Sequence, residues 1–261
     1  MVLLHLVDAF ADRPFSGNPA AVCLLDTPRS DEWMQQFAFE LGFSETAYVL
    51  RVSDGLSLRW FTPSAEAALC GHATLASAHV LWNVGRAQGA IAFQTKAGVL
   101  NCDRSGGLIY LDMPRATLQD EPPPVGLLTS LGVRPVAIKR AGTNDILVEL
   151  ADEDSVRRIT PDFVTLAQVK ARGIIVTARA KNPELDFVSR FFAPSIGISE
   201  DPVTGSAHCA LAPYWGDKLG KTTMRARQVS KRGGELELEL SPERVRMGGR
   251  AVTIFTGALI V

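Results

Sequence analysis

The sequence predicts an α+β protein made of two pseudosymmetric domains, each a wrapped β-sheet around a central buried helix. The first observation is an internal sequence repeat. The string RWFTPS at residues 59–64 recurs as RFFAPS at residues 190–195, an offset of 131 residues. Duplication of one structural unit leaves such a repeat, although short strings of this kind also recur by chance. The second is that each copy leads through a short loop and a glycine into an apolar, Ala-rich stretch. A helix without a polar face must be buried on all sides.

Short apolar or alternating runs predict the strands that surround these helices. The predicted strands are Leu3–Phe10, Ala20–Leu25, Ala47–Val52, Ile91–Thr95, Leu108–Asp112, Ile146–Leu150, Gly173–Thr177, Leu236–Leu240 and Val252–Val261. Exposed helices are predicted at residues 30–41, where Ser30 is a candidate cap, and at residues 160–171, where Pro161 suits a first turn. Pro213 lies inside the second buried stretch and is expected to kink or shorten that helix.

The best domain boundary is the run of three prolines after Glu121. Three consecutive prolines cannot join a strand ladder or a helix. We therefore predict domains over residues 1–120 and 121–261. The apolar final strand is expected to close a sheet, with a return to the first half as one arrangement.

Composition excludes several classes of partner. A net charge of -1 and a pI near 6.4 remove the long-range attraction on which binding to nucleic acid or anionic membranes relies. The sequence contains no run of eighteen apolar residues and begins without a basic flank, so a cytoplasmic location is expected. Its four cysteines form no CxxC pair, which indicates reduced thiols.

Two predicted helix starts, at Gly71 and Gly205, are candidate anion sites. A helix start presents unpaired N–H groups and a positive dipole end, which favour a carboxylate or a phosphate. If the halves pack about a pseudo-twofold axis, both starts would face one anionic substrate. Ordinary N-capping by Thr204 or Ser206 is the alternative.

Glu45 is the candidate acid/base, because it stands at the start of an otherwise apolar strand. A solvated glutamate at a strand end is the alternative. In an apolar surrounding, desolvation would raise its pKa and suit it to take and return protons near neutral pH.

Two further residues have the chemistry to assist Glu45. His72 follows Gly71 in the first helical turn, and Asp201, before Pro202, could fix the tautomer of its ring. A core histidine and a turn aspartate are the alternatives. A metal site would need His72, His79 and His208 to converge from both halves, and no zinc motif supports it.

These residues resemble the motifs of the PhzF-like (phenazine biosynthesis-like) isomerases. The resemblance covers most of the chain in order. It comprises VDAF and FSGNPAAV at residues 7–22, SETA at 44–47, CGHAT at 70–74 and EDPVTGSA at 200–207. It implies a fold similar to diaminopimelate epimerase and proline racemase, with a site between two pseudosymmetric domains.

The resemblance also implies roles for particular residues and the absence of metal and organic cofactors. Glu45 would transfer the proton, assisted by His72, Asp201 and Ser206, on a small carboxylate-bearing substrate. The residues expected to bind the substrate are Asn18, Ser44, Gly71, Ala73, Thr204 and Gly205. A homodimer is expected as well.

Cys70 separates the competing functions. Epimerases and racemases of this fold use two cysteines, one at each helix start, and here the second place falls on Thr204 or Pro202, depending on register. Without the second thiol a one-base shift by Glu45 is favoured over inversion. A racemase or epimerase that uses Cys70 with another base, and a non-catalytic carboxylate-binding protein, are the alternatives.

Overall fold

The computed structural model describes residues 2–260, which form two compact units. Unit 1 contains residues 2–113 and 247–260, and unit 2 contains residues 114–246. The chain thus leaves unit 1 before the three prolines that suggested the boundary at 120/121, and its last segment groups with unit 1. Among the described residues, no helix is both long and apolar enough to cross a bilayer.

Unit 1 consists mainly of short strands and contains two helices. Its strands are β1 (Leu3–Ala9), β2 (Asn18–Leu25), β3 (Thr46–Val52), β4 (Gly55–Phe61), β5 (Glu66–Ala67), β6 (Ile91–Thr95), β7 (Gly98–Ser105) and β8 (Leu108–Pro114), and its helices are α1 (Asp31–Leu41) and α2 (Gly71–Asn83). The central helix α2 packs against β1, β2 and β3.

Unit 2 repeats this design with added short helices. Its strands are β9 (Leu118–Asp120), β10 (Ala137–Ala141), β11 (Asp145–Glu149), β12 (Gly173–Arg179), β13 (Phe187–Ala193), β14 (Ile198–Asp201), β15 (Thr223–Gln228) and β16 (Gly234–Leu240). Its helices are α3 (Leu127–Leu131), α4 (Glu153–Arg158), α5 (Phe163–Leu166) and the central α6 (Gly205–Leu219). Strand β17 (Arg244–Gly249) crosses the division between units, and β18 (Ala251–Ala258) pairs antiparallel with β1.

The two units share one pairing pattern. In unit 1, β2 pairs parallel with β3, β3 antiparallel with β4, and β4 parallel with β6. In unit 2, β11 pairs parallel with β12, β12 antiparallel with β13, and β13 parallel with β15. In each unit the central helix lies in the connection between the last two of these strands. The predicted α+β fold with two similar halves is confirmed.

The repeated Arg-aromatic-Phe string lies in β4 and β13, where it has the same structural role. The Nε and Nη2 atoms of Arg59 donate to the Glu66 carboxylate at 2.7 and 2.8 Å, and those of Arg190 donate to Glu200 at 2.7 and 3.0 Å. Each guanidinium also lies over the ring of the phenylalanine two residues later, at 5.1 and 4.8 Å. The repeated Arg-aromatic-Phe string therefore builds the same two-hydrogen-bond ion pair in each unit.

The central helices begin at Gly71 and Gly205 and are largely buried, as predicted. Of the two effects expected of Pro213, shortening does not occur, because α6 continues to Leu219. Because proline has no N–H, it cannot bond the carbonyl of Cys209 one turn back. The backbone N–H of Ala116 donates to that carbonyl at 3.0 Å instead, so the acceptor does not go unsatisfied inside the core.

The two predicted outer helices had different outcomes. The hydroxyl of Ser30 accepts from the Trp33 N–H at 3.2 Å and caps α1, as predicted. The helix predicted over residues 160–171 is wrong, because α5 spans only four residues. Its start is fixed by Asp162, whose carboxylate accepts two first-turn N–H groups, and the following N–H groups form i−3 bonds that end the α-helix.

Candidate active site

Glu45 lies immediately before β3, with its side chain turned inward. The side chain is 15% exposed, and its Oε2 atom lies 3.4 Å from Nε2 of His72, the second residue of α2. The solvated strand-end glutamate, the commoner alternative for this position, is therefore wrong. A carboxylate withdrawn from water beside an imidazole is an arrangement suited to proton transfer.

The partners of His72 determine which ring nitrogen carries the proton. Its Nδ1 atom lies 3.2 Å from Nδ2 of the buried Asn18 amide and 3.6 Å from the thiol of Cys70. Both groups are hydrogen-bond donors, so Nδ1 acts as the acceptor. The proton of the neutral ring then sits on Nε2, which faces the Glu45 carboxylate and the Ser44 hydroxyl, the latter at 3.5 Å.

A tight loop places Asn18 at the start of β2. Gly17 has a φ of +65°, and a Cβ there would come within 2.8 Å of the side chain of Ala11. Only glycine adopts this conformation without strain. The loop is also held by the Phe15 N–H, which donates to Asp8 at 2.8 Å. The sequence signal for this constraint is the glycine in FSGNP.

The first turn of α2 adds backbone donors next to the Glu45–His72 pair. Cys70 occupies the N-cap position, but its side chain makes no capping bond in the described helix. The first N–H groups of a helix lack partners within the helix. The amides of Gly71 and Ala73, together with the dipole end, therefore form a surface suited to an anion.

The second helix start has a different chemistry. Thr204 is the N-cap residue of α6, yet its hydroxyl does not cap the helix and instead donates to Asp201 at 2.5 Å. The alternative of ordinary capping by Thr204 is wrong. The Gln228 amide bridges this pair, accepting from the Thr204 N–H at 2.9 Å and donating to the Asp201 carbonyl at 2.7 Å.

Sequence reasoning did not identify Gln228, nor Arg172 beside Ser206. Gln228 is fully buried at the end of a strand that alternates between buried and exposed residues. A polar residue on the buried face of such a strand was the available signal. Arg172 donates from Nη2 to the Ser206 hydroxyl at 3.0 Å. The two residues are 34 positions apart, and no local pattern joins them.

His79 and His208 are each held within their own unit. Nδ1 of His208 lies 2.8 Å from the Thr204 carbonyl, and its ring stacks on Phe187 with centroids 6.1 Å apart. Burial lowers the pKa of His208 to about 4, so the ring is neutral. The Nε2 atom of His79 lies 2.8 Å from the Asn83 amide. His208 is thus a neutral core histidine, and His79 is bonded to a residue of its own helix.

One group among residues 2–260 has the composition of a metal site. Single ligand atoms of Glu45, Cys70 and His72 lie within 4.8 Å of one another. However, the thiol lies beside Nδ1 of the ring and the carboxylate beside Nε2. A zinc ion about 2 Å from one ring nitrogen would adjoin only one of the other two groups without rearrangement.

The structure thus brings the predicted residues together in two sets. In unit 1, Asn18, Ser44, Glu45 and Cys70 surround His72. In unit 2, Thr204 joins Asp201 at the start of α6, and Gly205 and Ser206 form the first residues of that helix. The predicted pairing of Asp201 with His72 stays a prediction.

The fold is shared with racemases. A crystal structure of a probable proline racemase from Agrobacterium radiobacter superposes on this chain with a TM-score of 0.72. The superposition covers 100% of this chain and 93% of the other. At 10% identity the likeness concerns the fold alone. The chain accordingly has the epimerase-like fold that the duplicated, helix-centred units had indicated.

Closer comparisons identify the family. The family model described as phenazine biosynthesis-like protein matches residues 7–257. An uncharacterized isomerase of Halalkalibacterium halodurans is 47% identical over 261 residues, covering 99% of this chain and 98% of the relative. A crystal structure of a PhzF-family phenazine biosynthesis protein from Enterococcus faecalis has a TM-score of 0.94 at 40% identity, covering 100% of this chain and 99% of the other. The chain belongs to the phenazine biosynthesis-like family, and it is an enzyme of the isomerase class.

Proposed function

We propose that the protein is a cofactor-independent isomerase that moves a proton on a small carboxylate-bearing substrate, with Glu45 as the acid/base. The observation that carries the proposal is the contact between Glu45 and His72. The carboxylate is largely withdrawn from water, and Oε2 lies 3.4 Å from the ring nitrogen that carries the proton. A carboxylate oxygen beside a proton-bearing ring nitrogen is placed to take a proton and return it.

In the proposed reaction one carboxyl group takes and returns the proton. The ionised Glu45 accepts a proton from an activated carbon beside a double bond, and the electron pair of the broken C–H bond forms a new double bond. The former double-bond electrons then take a proton from the neutral Glu45 acid at the far carbon. The N–H of His72 orients the carboxylate throughout, and the step needs no oxidant or reductant.

The remaining predicted residues are proposed to hold the substrate. The helix-start amides of Gly71, Ala73 and Gly205 suit its carboxylate, because unpaired N–H groups and helix dipoles favour an anion. Ser44 and Thr204 add hydroxyl groups. The proposed homodimer can be checked by light scattering of the purified protein.

The test is hydrogen exchange with solvent. The purified protein is incubated in D₂O with a panel of small unsaturated cyclic carboxylates and amino acids, and deuterium incorporation is followed by NMR. We expect Glu45→Gln to lower the exchange rate of a responding compound by about 10²- to 10⁴-fold, the usual contribution of a general acid/base. The matched control is Glu40→Gln, since Glu40 is exposed on α1. Full exchange by Glu45→Gln would refute the proposal.

A racemase that uses Cys70 is the second candidate, favoured by the 3.6 Å contact between its thiol and Nδ1 of His72. Racemisation by two cysteines would also need a thiol at the start of α6. Cys70 and Thr204 are the N-cap residues of α2 and α6, so Thr204 holds the equivalent place. Burial raises the pKa of Cys209 to about 12. Racemisation would change optical rotation, whereas the isomerase would shift a double bond and change ultraviolet absorbance.

A further inference from the structure

The side chain of Ser206 has one hydrogen-bond partner among residues 2–260, the guanidinium of Arg172. The Nη2 atom of Arg172 lies 3.0 Å from the Ser206 oxygen. An arginine side chain is a donor only, so the serine oxygen must accept. The hydroxyl proton of Ser206 is therefore not used in this contact and is available to another acceptor. Ser206 itself is half-buried in the first turn of α6.

Arg172 is held rigidly enough to determine this arrangement. The same Nη2 atom pairs with Asp145, whose side chain is fully buried. Nε of Arg172 donates to the Thr143 carbonyl at 3.2 Å, and the guanidinium lies over the Phe191 ring at 5.4 Å. Three neighbours therefore fix the orientation of the guanidinium, and little rotamer freedom remains.

The positive charge of the Arg172 guanidinium also favours a donor role for the Ser206 hydroxyl. A serine oxygen that accepts from a cation is polarised, which makes its O–H a stronger donor. The complementary acceptor is an anion, and a carboxylate matches the helix-start N–H groups beside it. The Asp145 carboxylate compensates the guanidinium charge in part, and the half-exposed Arg172 side chain retains its remaining donors.

We propose that Arg172 is a positioning residue, which presents the Ser206 hydroxyl as a proton donor to the carboxylate of the substrate. The inference rests on the proposed function for its carboxylate-bearing substrate and deepens it. Arg172 itself acts through Ser206.

The test compares a carboxylate with its neutral amide. Dissociation constants of benzoate and benzamide, and of cyclohex-1-ene-1-carboxylate and its carboxamide, are measured by ligand-observed NMR. We expect the parent protein to prefer each carboxylate at least about tenfold, and Ser206→Ala or Arg172→Gln to remove most of this preference, since one charge-assisted bond is worth about that much. Arg172→Lys should restore part of it. The double variant should equal either single variant, as expected for residues that act as one unit.

Arg140→Gln is the matched control. Arg140 pairs with Glu121 at 2.6 Å and donates to the Lys170 carbonyl at 3.0 Å, close in sequence to Arg172, and it makes no hydrogen bond to Ser206 in the described chain. It should leave the carboxylate preference unchanged. Thermal unfolding of each variant separates loss of the fold from loss of the contact.

Three outcomes would overturn the proposal. They are a parent protein without carboxylate preference, an Arg172→Gln variant that keeps the preference while Ser206→Ala loses it, and additive losses in the double variant. Binding is also measured in Glu45→Gln. If that variant keeps both its carboxylate preference and full exchange activity, the proposed function fails while the positioning role of Arg172 stands.

Discussion

Units 1 and 2 have the same strand pairing and the same Arg–Glu ion pair, but their central helices begin in different chemistry. At the start of α2 a glutamate, an imidazole and a thiol lie together. At the start of α6 an aspartate, a threonine and a glutamine are joined by hydrogen bonds. The two units therefore share the residues that hold the strands and differ in the residues at the helix starts. We therefore place the proposed proton transfer in unit 1.

The two first-turn histidines allow the largest test of this comparison. His72 faces Glu45, whereas His208 is buried against Phe187 in the core of unit 2. His72→Leu should lower turnover by about 10²-fold or more, because it removes the N–H that orients the base. Thermal unfolding of the variant separates this loss from loss of the fold. The comparison fails if His208→Leu, still folded, loses as much turnover as His72→Leu.

His208 should also make the stability of the protein depend on pH. Its pKa is about 4 in the folded protein, against about 6.5 ordinarily. The unfolded chain therefore binds this proton first, and the stabilisation is complete above about pH 6.5 and is lost as pH falls towards 4. The shift corresponds to about 3 kcal/mol of unfolding free energy.

Urea unfolding between pH 7 and pH 4 checks this expectation. The parent protein should lose about 3 kcal/mol more than His208→Gln over that range. His79→Gln is the control. Burial lowers the pKa of His79 as well, but His79 is less buried than His208, so this variant should change the pH profile less. Parallel pH profiles for the parent and His208→Gln would contradict the expectation.

The repeated ion pairs should differ in strength despite their common geometry. Arg190 is 12% exposed and also donates to the Ile159 carbonyl at 2.7 Å, whereas Arg59 is 25% exposed and its further partner is the exposed Asp31. We expect Arg190→Met to cost about 2–3 kcal/mol and Arg59→Met about 1 kcal/mol, since removing a buried partner leaves more unsatisfied groups. Urea unfolding measures both, and a larger loss in Arg59→Met would reverse the order.

The smallest expected effect concerns the cap of α1. The Ser30 hydroxyl accepts from the Trp33 N–H at 3.2 Å, and Ser30→Ala should cost about 1 kcal/mol. Ser30→Asp should retain the stability of the parent, because aspartate also caps. Equal losses in both variants would show that the hydroxyl does not stabilise the helix.

The sequence sufficed for the fold because its signals are local or repeated. Apolar runs marked the strands, and glycines marked the starts of α2 and α6. The α5 prediction failed because Asp162 starts the helix later and i−3 bonds end it early. The Asn18–His72 contact and the Arg172–Ser206 contact join residues 54 and 34 positions apart. No periodicity carries such pairings, since tertiary packing alone brings them together.

The central claim, that Glu45 alone takes and returns the proton, is tested most directly by the fate of a label. A responding substrate carrying deuterium at the migrating position is converted in H₂O, and the product is analysed by mass spectrometry. Because one shielded carboxyl group carries the deuteron, part of the early product should retain it. A product free of the substrate's deuterium, formed equally fast by Glu45→Gln, would contradict the claim.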